Sequence, residues 1–82
     1  MTTLRYWAGA RAAAGTASEQ VDAATLAEAL ETARGQRGRR FADVLSVCSF
    51  VVDGDPVGAR DHASIGLAAD SLVDVLPPFA GG

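Results

Sequence analysis

Residues with chemical potential occur in four places: the Pro77-Pro78-Phe79-Ala80-Gly81-Gly82 end, the single Cys48, the single His62, and the acidic residues Asp53, Asp55 and Asp61 beside that histidine. The end is the most informative. Two prolines fix φ and remove two backbone donors, so the chain runs on stiffly from whatever precedes it. Two glycines then give a thin end whose carboxylate has no side chain beside it. That shape suits passage through a narrow channel into another protein's active site. Only Phe79 in this segment could be core, and the alternative is a frayed terminus. Cys48 sits in an apolar run and reads as a small buried hydrophobe rather than a sulfur relay. His62 has no serine, cysteine or second histidine at catalytic spacing. Turn chemistry accounts for Asp53 and Asp55, and no ligand spacing joins them to Asp61 and His62, so no metal site is expected. Without a nucleophile–base pair or a phosphate loop, a self-sufficient enzyme is the least supported class.

These groups must be carried by one small domain of 82 residues. Of its 49% hydrophobic residues, 17 are alanines that bury little area each, so the core must be compact. A net charge of −3 argues against nucleic acid as the main partner. One cysteine excludes an internal disulfide, no apolar run approaches a membrane span, and the first residues lack a signal peptide's order. A cytoplasmic location is the expectation.

The pattern predicts a first strand at residues 3–8, with Leu4, Tyr6 and Ala8 on one face and Arg5 and Trp7 on the other. Residues 9–15 read as an alanine-rich connector, and residues 17–22 as a second strand antiparallel to the first. Thr25 and Glu28 have capping-box spacing, and Leu26, Ala29, Leu30 and Ala33 form one helical stripe ending near Gly35. Arg34, Arg37, Arg39 and Arg40 then read as solvated charges at the helix end. Phe41, Val44 and Leu45 suggest a further helical turn. Residues 47–52 suit a central strand, Asp53-Gly54-Asp55-Pro56 a turn, 57–59 a short edge strand, and 71–76 a last strand stopped by Pro77-Pro78. Residues 61–70 read as irregular, with Ile65 and Leu67 anchoring them. The fold class is α+β: a mixed sheet of four to five strands with one main helix on one face, the first and last strands side by side. The domain spans residues 1–76 and the tail residues 77–82.

A Pro-Pro-x-x-Gly-Gly end directly after a last strand resembles the MoaD/ThiS family of ubiquitin-like sulfur carriers, in particular the small subunit of molybdopterin synthase. The likeness extends to Trp7-Ala8-Gly9-Ala10-Arg11 through Gly15, similar to the family's aromatic-Ala-x-x-Arg-x-x-x-Gly segment. It implies a ubiquitin-like β-grasp fold. It also implies that an E1-like enzyme, using ATP and magnesium, adenylates the Gly82 carboxylate, and that a sulfurtransferase or cysteine desulfurase supplies the sulfur of a thiocarboxylate. The implied acceptor is a pterin precursor on the synthase large subunit, in a heterotetramer. The chain itself would be a carrier with no intrinsic cofactor, its catalytic groups lying on partners. Thiamin or cysteine/thio-metabolite synthesis is the alternative pathway, and a β-grasp module whose tail is never activated is the alternative class. One departure stands out: the family's Asp-Gly-Asp-Glu-Val is Ala69-Asp70-Ser71-Leu72-Val73 here, where Asp70 can adopt glycine's turn conformation, though less freely, and Leu72 makes the surface more apolar.

Period two places Val73 and Val75 on one face of the last strand and Leu72, Asp74 and Leu76 on the other. Asp74 and Arg5 should face outward, because unpaired buried charge is costly. Trp7, Leu72 and Leu76 would then form an exposed patch beside the tail and a partner interface; the alternative is a twisted strand that buries Trp7. The resemblance adds Arg11 to that interface, against an ordinary solvated arginine.

Overall fold

The computed structural model describes residues 1–78. Its elements in order are β1 (Thr2–Tyr6), α1 (Ala8–Ala14), β2 (Ser18–Val21), α2 (Leu26–Gly35), α3 (Arg39–Ser46), β3 (Ser49–Val52), β4 (Asp55–Pro56), a 3₁₀ turn (His62–Ser64) and β5 (Leu72–Leu76). The sheet order is β2-β1-β5-β3-β4. As expected, β1 and β5 lie side by side and parallel, while β1–β2, β3–β5 and β3–β4 are antiparallel. This is the ubiquitin-like β-grasp arrangement.

Alternation sorts the sheet into two faces. Leu4, Tyr6, Val21, Phe50, Val73 and Val75 point inward and join Ala10 of α1, the stripe of α2, and Phe41 and Leu45 of α3 in one core. The α2 stripe is Leu26, Ala29, Leu30 and Ala33, all buried. Each fully buried leucine contributes about 1.5–3 kcal/mol. The capping box forms: Glu28 N–H donates to Thr25 Oγ1 at 3.2 Å, and Ala24 N–H donates to Glu28 Oε1 at 3.0 Å.

Three helices cover the inner face, with α2 the longest and α1 and α3 shorter additions to it. The alanine-rich connector is α1, which ends at Gly15 (φ 78), whose N–H donates to Arg11 O at 2.9 Å. With Ala10 its sole fully buried residue, α1 has almost no amphipathic signal to read. The strand expected over 47–52 starts at Ser49, because Val47 caps α3 and is 60% exposed. It is paired on both sides, but the central strand is β5. The edge strand is Asp55–Pro56 rather than 57–59. Pro56 pairs with Val51 at the sheet's edge, where a missing N–H costs little, and Val57 turns inward, buried, with its N–H on Phe50 O. The Asp53-Gly54 turn has the positive φ values of a tight hairpin, 51 and 84. Asp70 does not adopt a left-handed conformation. Ser71 closes that turn instead, its Oγ accepting from Ala68 N–H at 2.8 Å.

One buried group lacks a partner among the described residues: Thr2 Oγ1. Thr2→Val keeps the shape and removes the desolvated hydroxyl, so it should stabilise the fold by about 1 kcal/mol. A higher urea midpoint with unchanged slope would show this; a lower midpoint would mean that the hydroxyl is satisfied.

Candidate functional site

Among the described residues, no helix covers the outer face of the sheet. The β1–β5 register sets Thr3 beside Leu72 and Arg5 beside Asp74, and β3 adds Ser49 beside Leu76 and Val51 beside Asp74. Alternation therefore brings Leu72, Asp74, Leu76, Arg5 and Val51 onto one surface. Trp7 follows β1 directly, its N–H donating to Val75 O at 3.1 Å. Ala8 then takes φ 45, a left-handed turn that sends the chain off the sheet into α1.

Trp7 is 42% exposed, so the strand is not twisted enough to bury it. Its indole is held in place. Trp7 Nε1 donates to Asp74 Oδ1 at 2.9 Å, Arg5 Nε donates to the same oxygen at 2.6 Å, and the Arg5 guanidinium lies 5.0 Å from the Trp7 ring centroid. An indole fixed by its N–H and a stacked cation has less rotamer freedom to lose on docking. Leu72 and Leu76 flank this group, half-buried. Arg11 is exposed on α1, and Pro77 and Pro78 continue from the central strand at the rim where Trp7 sits. Phe79, Ala80, Gly81 and Gly82 lie outside the described residues.

Hydrogen bonding from Arg5 holds the Asp74 carboxyl below the usual carboxylate range; the Trp7 N–H acts in the same direction and desolvation opposes both. A depressed carboxylate contributes stability above its unfolded pKa and loses it as pH falls through the folded one. Acidification below about pH 4 should therefore release the indole and change Trp7 fluorescence, with Asp74→Asn abolishing the transition. An identical transition in Asp74→Asn would remove the carboxylate from this role.

The remaining candidates are structural. Cys48 packs against the core with its thiol on Val44 O at 3.2 Å, and burial pushes the thiol pKa up, away from the reactive thiolate. His62 stands edge-on to Phe50, 5.1 Å between centroids. Asp53 accepts Leu72 N–H, Asp55 pairs with Arg60, and Asp61 caps the 3₁₀ turn. Among the described residues, no group of three or more His, Cys, Asp or Glu side chains could hold a metal ion. No helix among the described residues is long and apolar enough to cross a membrane.

Sequence reasoning missed Arg37. Far from being a solvated charge, it pairs with Glu19 at 2.6 Å, both side chains about 15% exposed, and donates to Ala14 O and Ala33 O. Its guanidinium also faces the Tyr6 and Phe41 rings. Tyr6 OH completes the group by donating to Glu19, and burial, then Glu19, raises the phenol's pKa. Glycines on both sides of Gln36-Arg37 were the available signal: they break the helix there and let the side chain turn back.

A model of the ThiS family matches residues 4–82. The chain belongs to the ThiS family. Three solved structures share the fold of this ThiS-family protein. The small archaeal modifier protein 1 from Methanosarcina acetivorans has a TM-score of 0.83 and 15% identity, over 99% of this chain and 95% of that one. The Amycolatopsis orientalis BexX/CysO complex gives 0.81 and 17%, over 100% of both chains. The complex of subunits 1 and 2 of the Helicobacter pylori molybdopterin-converting factor gives 0.70 and 18%, over 99% and 97%. No curated protein matches the sequence. The ThiS assignment makes the chain a small ubiquitin-like sulfur carrier, of a family whose members are non-catalytic partners in complexes.

Proposed function

We propose that this ThiS-family protein carries sulfur on the Gly82 carboxylate for molybdopterin synthesis. The observation that carries the reading is positional: the central strand β5 passes directly into Pro77-Pro78 beside the open Trp7–Leu72–Leu76 face, and the family match runs on through Gly82. A partner docked on that face would receive the tail residues Phe79, Ala80, Gly81 and Gly82 in its own active site.

The chemistry is acyl activation. A carboxylate oxygen of Gly82 attacks the α-phosphorus of ATP held with magnesium by an E1-like enzyme, and pyrophosphate leaves. Sulfur from a persulfide-bearing sulfurtransferase or cysteine desulfurase attacks the acyl carbon, and AMP leaves. A thiol then cleaves the S–S bond and is itself oxidised, leaving the thiocarboxylate. Glycine offers the least hindrance at the attacked carbon, and the chain's own side chains supply binding and positioning. The Pro-Pro-x-x-Gly-Gly pattern favours the large subunit of molybdopterin synthase as recipient; a thiamin or cysteine/thio-metabolite pathway would use the same loading chemistry.

Intact mass after incubation with an activating enzyme, ATP and a sulfur source tests this. One oxygen-to-sulfur exchange is expected, absent when Gly82 is deleted, with the sulfur passing to a pterin precursor only when the large subunit is added. An unchanged mass across several activating enzymes would favour a binding module whose tail is never activated. A loaded chain that transfers to a different acceptor would reassign the pathway.

A further inference from the structure

Charge in this protein is strongly partitioned. Residues 34–40 hold four arginines and no acid, a local charge of +4, while the rest of the chain, with three arginines and ten acidic residues, carries −7. The fold turns that sequence bias into a spatial one. Strands β1 and β5 run parallel and end at the same rim, where the chain passes into Pro77. Arg37 ties the ends of α1 and α2 together close to this rim, bonding Ala14 O, Ala33 O and Glu19. Arg34 precedes it by one turn and Arg39 and Arg40 follow at once. At the opposite rim stand Asp22 after Val21, Asp53 on Leu72 N–H, and Asp70 before Ser71.

The fold accounts for two of these arginines and not for the other two. Arg37 is used internally, and Arg34 pairs with Glu31 at 3.0 Å. Arg39 and Arg40 are exposed and form no ion pair among the described residues, Asp43 one turn further on included. They also occupy the first turn of α3, where the helix's partial charge is positive and no acid offsets it. Their placement therefore weakens local stability and leaves two unneutralised charges at the end of the molecule where the tail departs.

We infer that Arg39 and Arg40 form an electrostatic docking surface for an acidic patch on the activating enzyme that receives the tail. This rests on the sulfur-carrier reading and adds the character of the partner. With Glu19 and Glu31 neutralising Arg37 and Arg34, the unpaired Arg39 and Arg40 are set against an acidic opposite rim, and a field of that kind orients an incoming partner before contact. The positive end leads toward an acidic surface and brings the tail with it, while the net-negative remainder, with Asp22, Asp53 and Asp70 at the opposite rim, repels the same surface and disfavours other approaches. Nucleic acid is the less favoured occupant, because the same remainder repels a phosphate backbone.

The test pairs a rate with an end point, using an E1-like enzyme that loads the wild-type chain by mass. In Arg39→Glu/Arg40→Glu, the association rate at low salt should fall about tenfold with little change in dissociation, and the salt dependence should flatten. Loading at saturating enzyme should remain complete. Arg39→Gln/Arg40→Gln, with wild-type circular dichroism as the check on folding, should fall between the two. Unchanged rates and salt dependence in both variants, with loading intact, would overturn the docking surface and leave the carrier function standing. Wild-type binding to single-stranded RNA that the reversal abolishes, with enzyme association unaffected, would overturn it in favour of nucleic acid. Failure of the wild-type chain to be loaded by any activating enzyme would overturn the carrier reading and this inference together.

Discussion

Arg37→Ala is expected to destabilise the fold by about 3 kcal/mol, the largest effect of any single charge removal in this protein. The substitution leaves Glu19 in a largely enclosed position without its counter-ion, frees the carbonyls of Ala14 and Ala33, and strips a cation from the Tyr6 and Phe41 rings. Breaking a fully buried pair costs about 3–5 kcal/mol; some residual solvent contact on both partners places this one at the lower end. Urea unfolding measures the loss directly, with Glu19→Gln completing a double-mutant cycle. A change below about 0.5 kcal/mol would return Arg37 to the status of an ordinary surface charge. The paired replacement Arg37→Met/Glu19→Met should recover much of the loss, since it removes both charges and keeps the packing.

The second large effect concerns binding. Trp7→Ala should weaken docking to the activating enzyme about 30-fold, the scale of a tryptophan anchor worth about 2 kcal/mol. Leu72→Asp should weaken it comparably by placing a charge where the partner must exclude water. Neither side chain belongs to the inner core, so both variants should keep nearly wild-type unfolding midpoints. Calorimetric titration against the enzyme provides the affinity. Equal affinities for wild type and both variants would move the interface off this sheet face.

The legible parts of this chain were those whose burial follows a period. The α2 stripe, the β5 alternation and the outward facing of Arg5 and Asp74 are each readable because every second or every third-to-fourth residue differs in polarity from its neighbours. The α1 segment was illegible for the opposite reason: residues 8–14 are nearly all alanine, and a uniform composition contains no phase. Tertiary context decides Arg37, since the carbonyls and carboxylate that attract it lie far away in sequence. Trp7 sits between these extremes. Its face was readable from strand alternation, whereas the indole's attachment to Asp74 depends on a register that only the parallel β1–β5 pairing supplies. The side chain of Ser71 closing its own turn, in place of a left-handed Asp70, shows how a local hydrogen bond can substitute for glycine's freedom.

Because the helices all lie on one side of the sheet, the determinants of folding and those of recognition occupy alternate residues of the same strands. Along β5, Val73 and Val75 answer to the core, while Leu72, Asp74 and Leu76 answer to whatever touches the bare side. Such interleaving lets one set drift while the other is held under selection. A lineage could exchange its partner by rewriting every second letter of a strand, without renegotiating the stability of the domain that bears it.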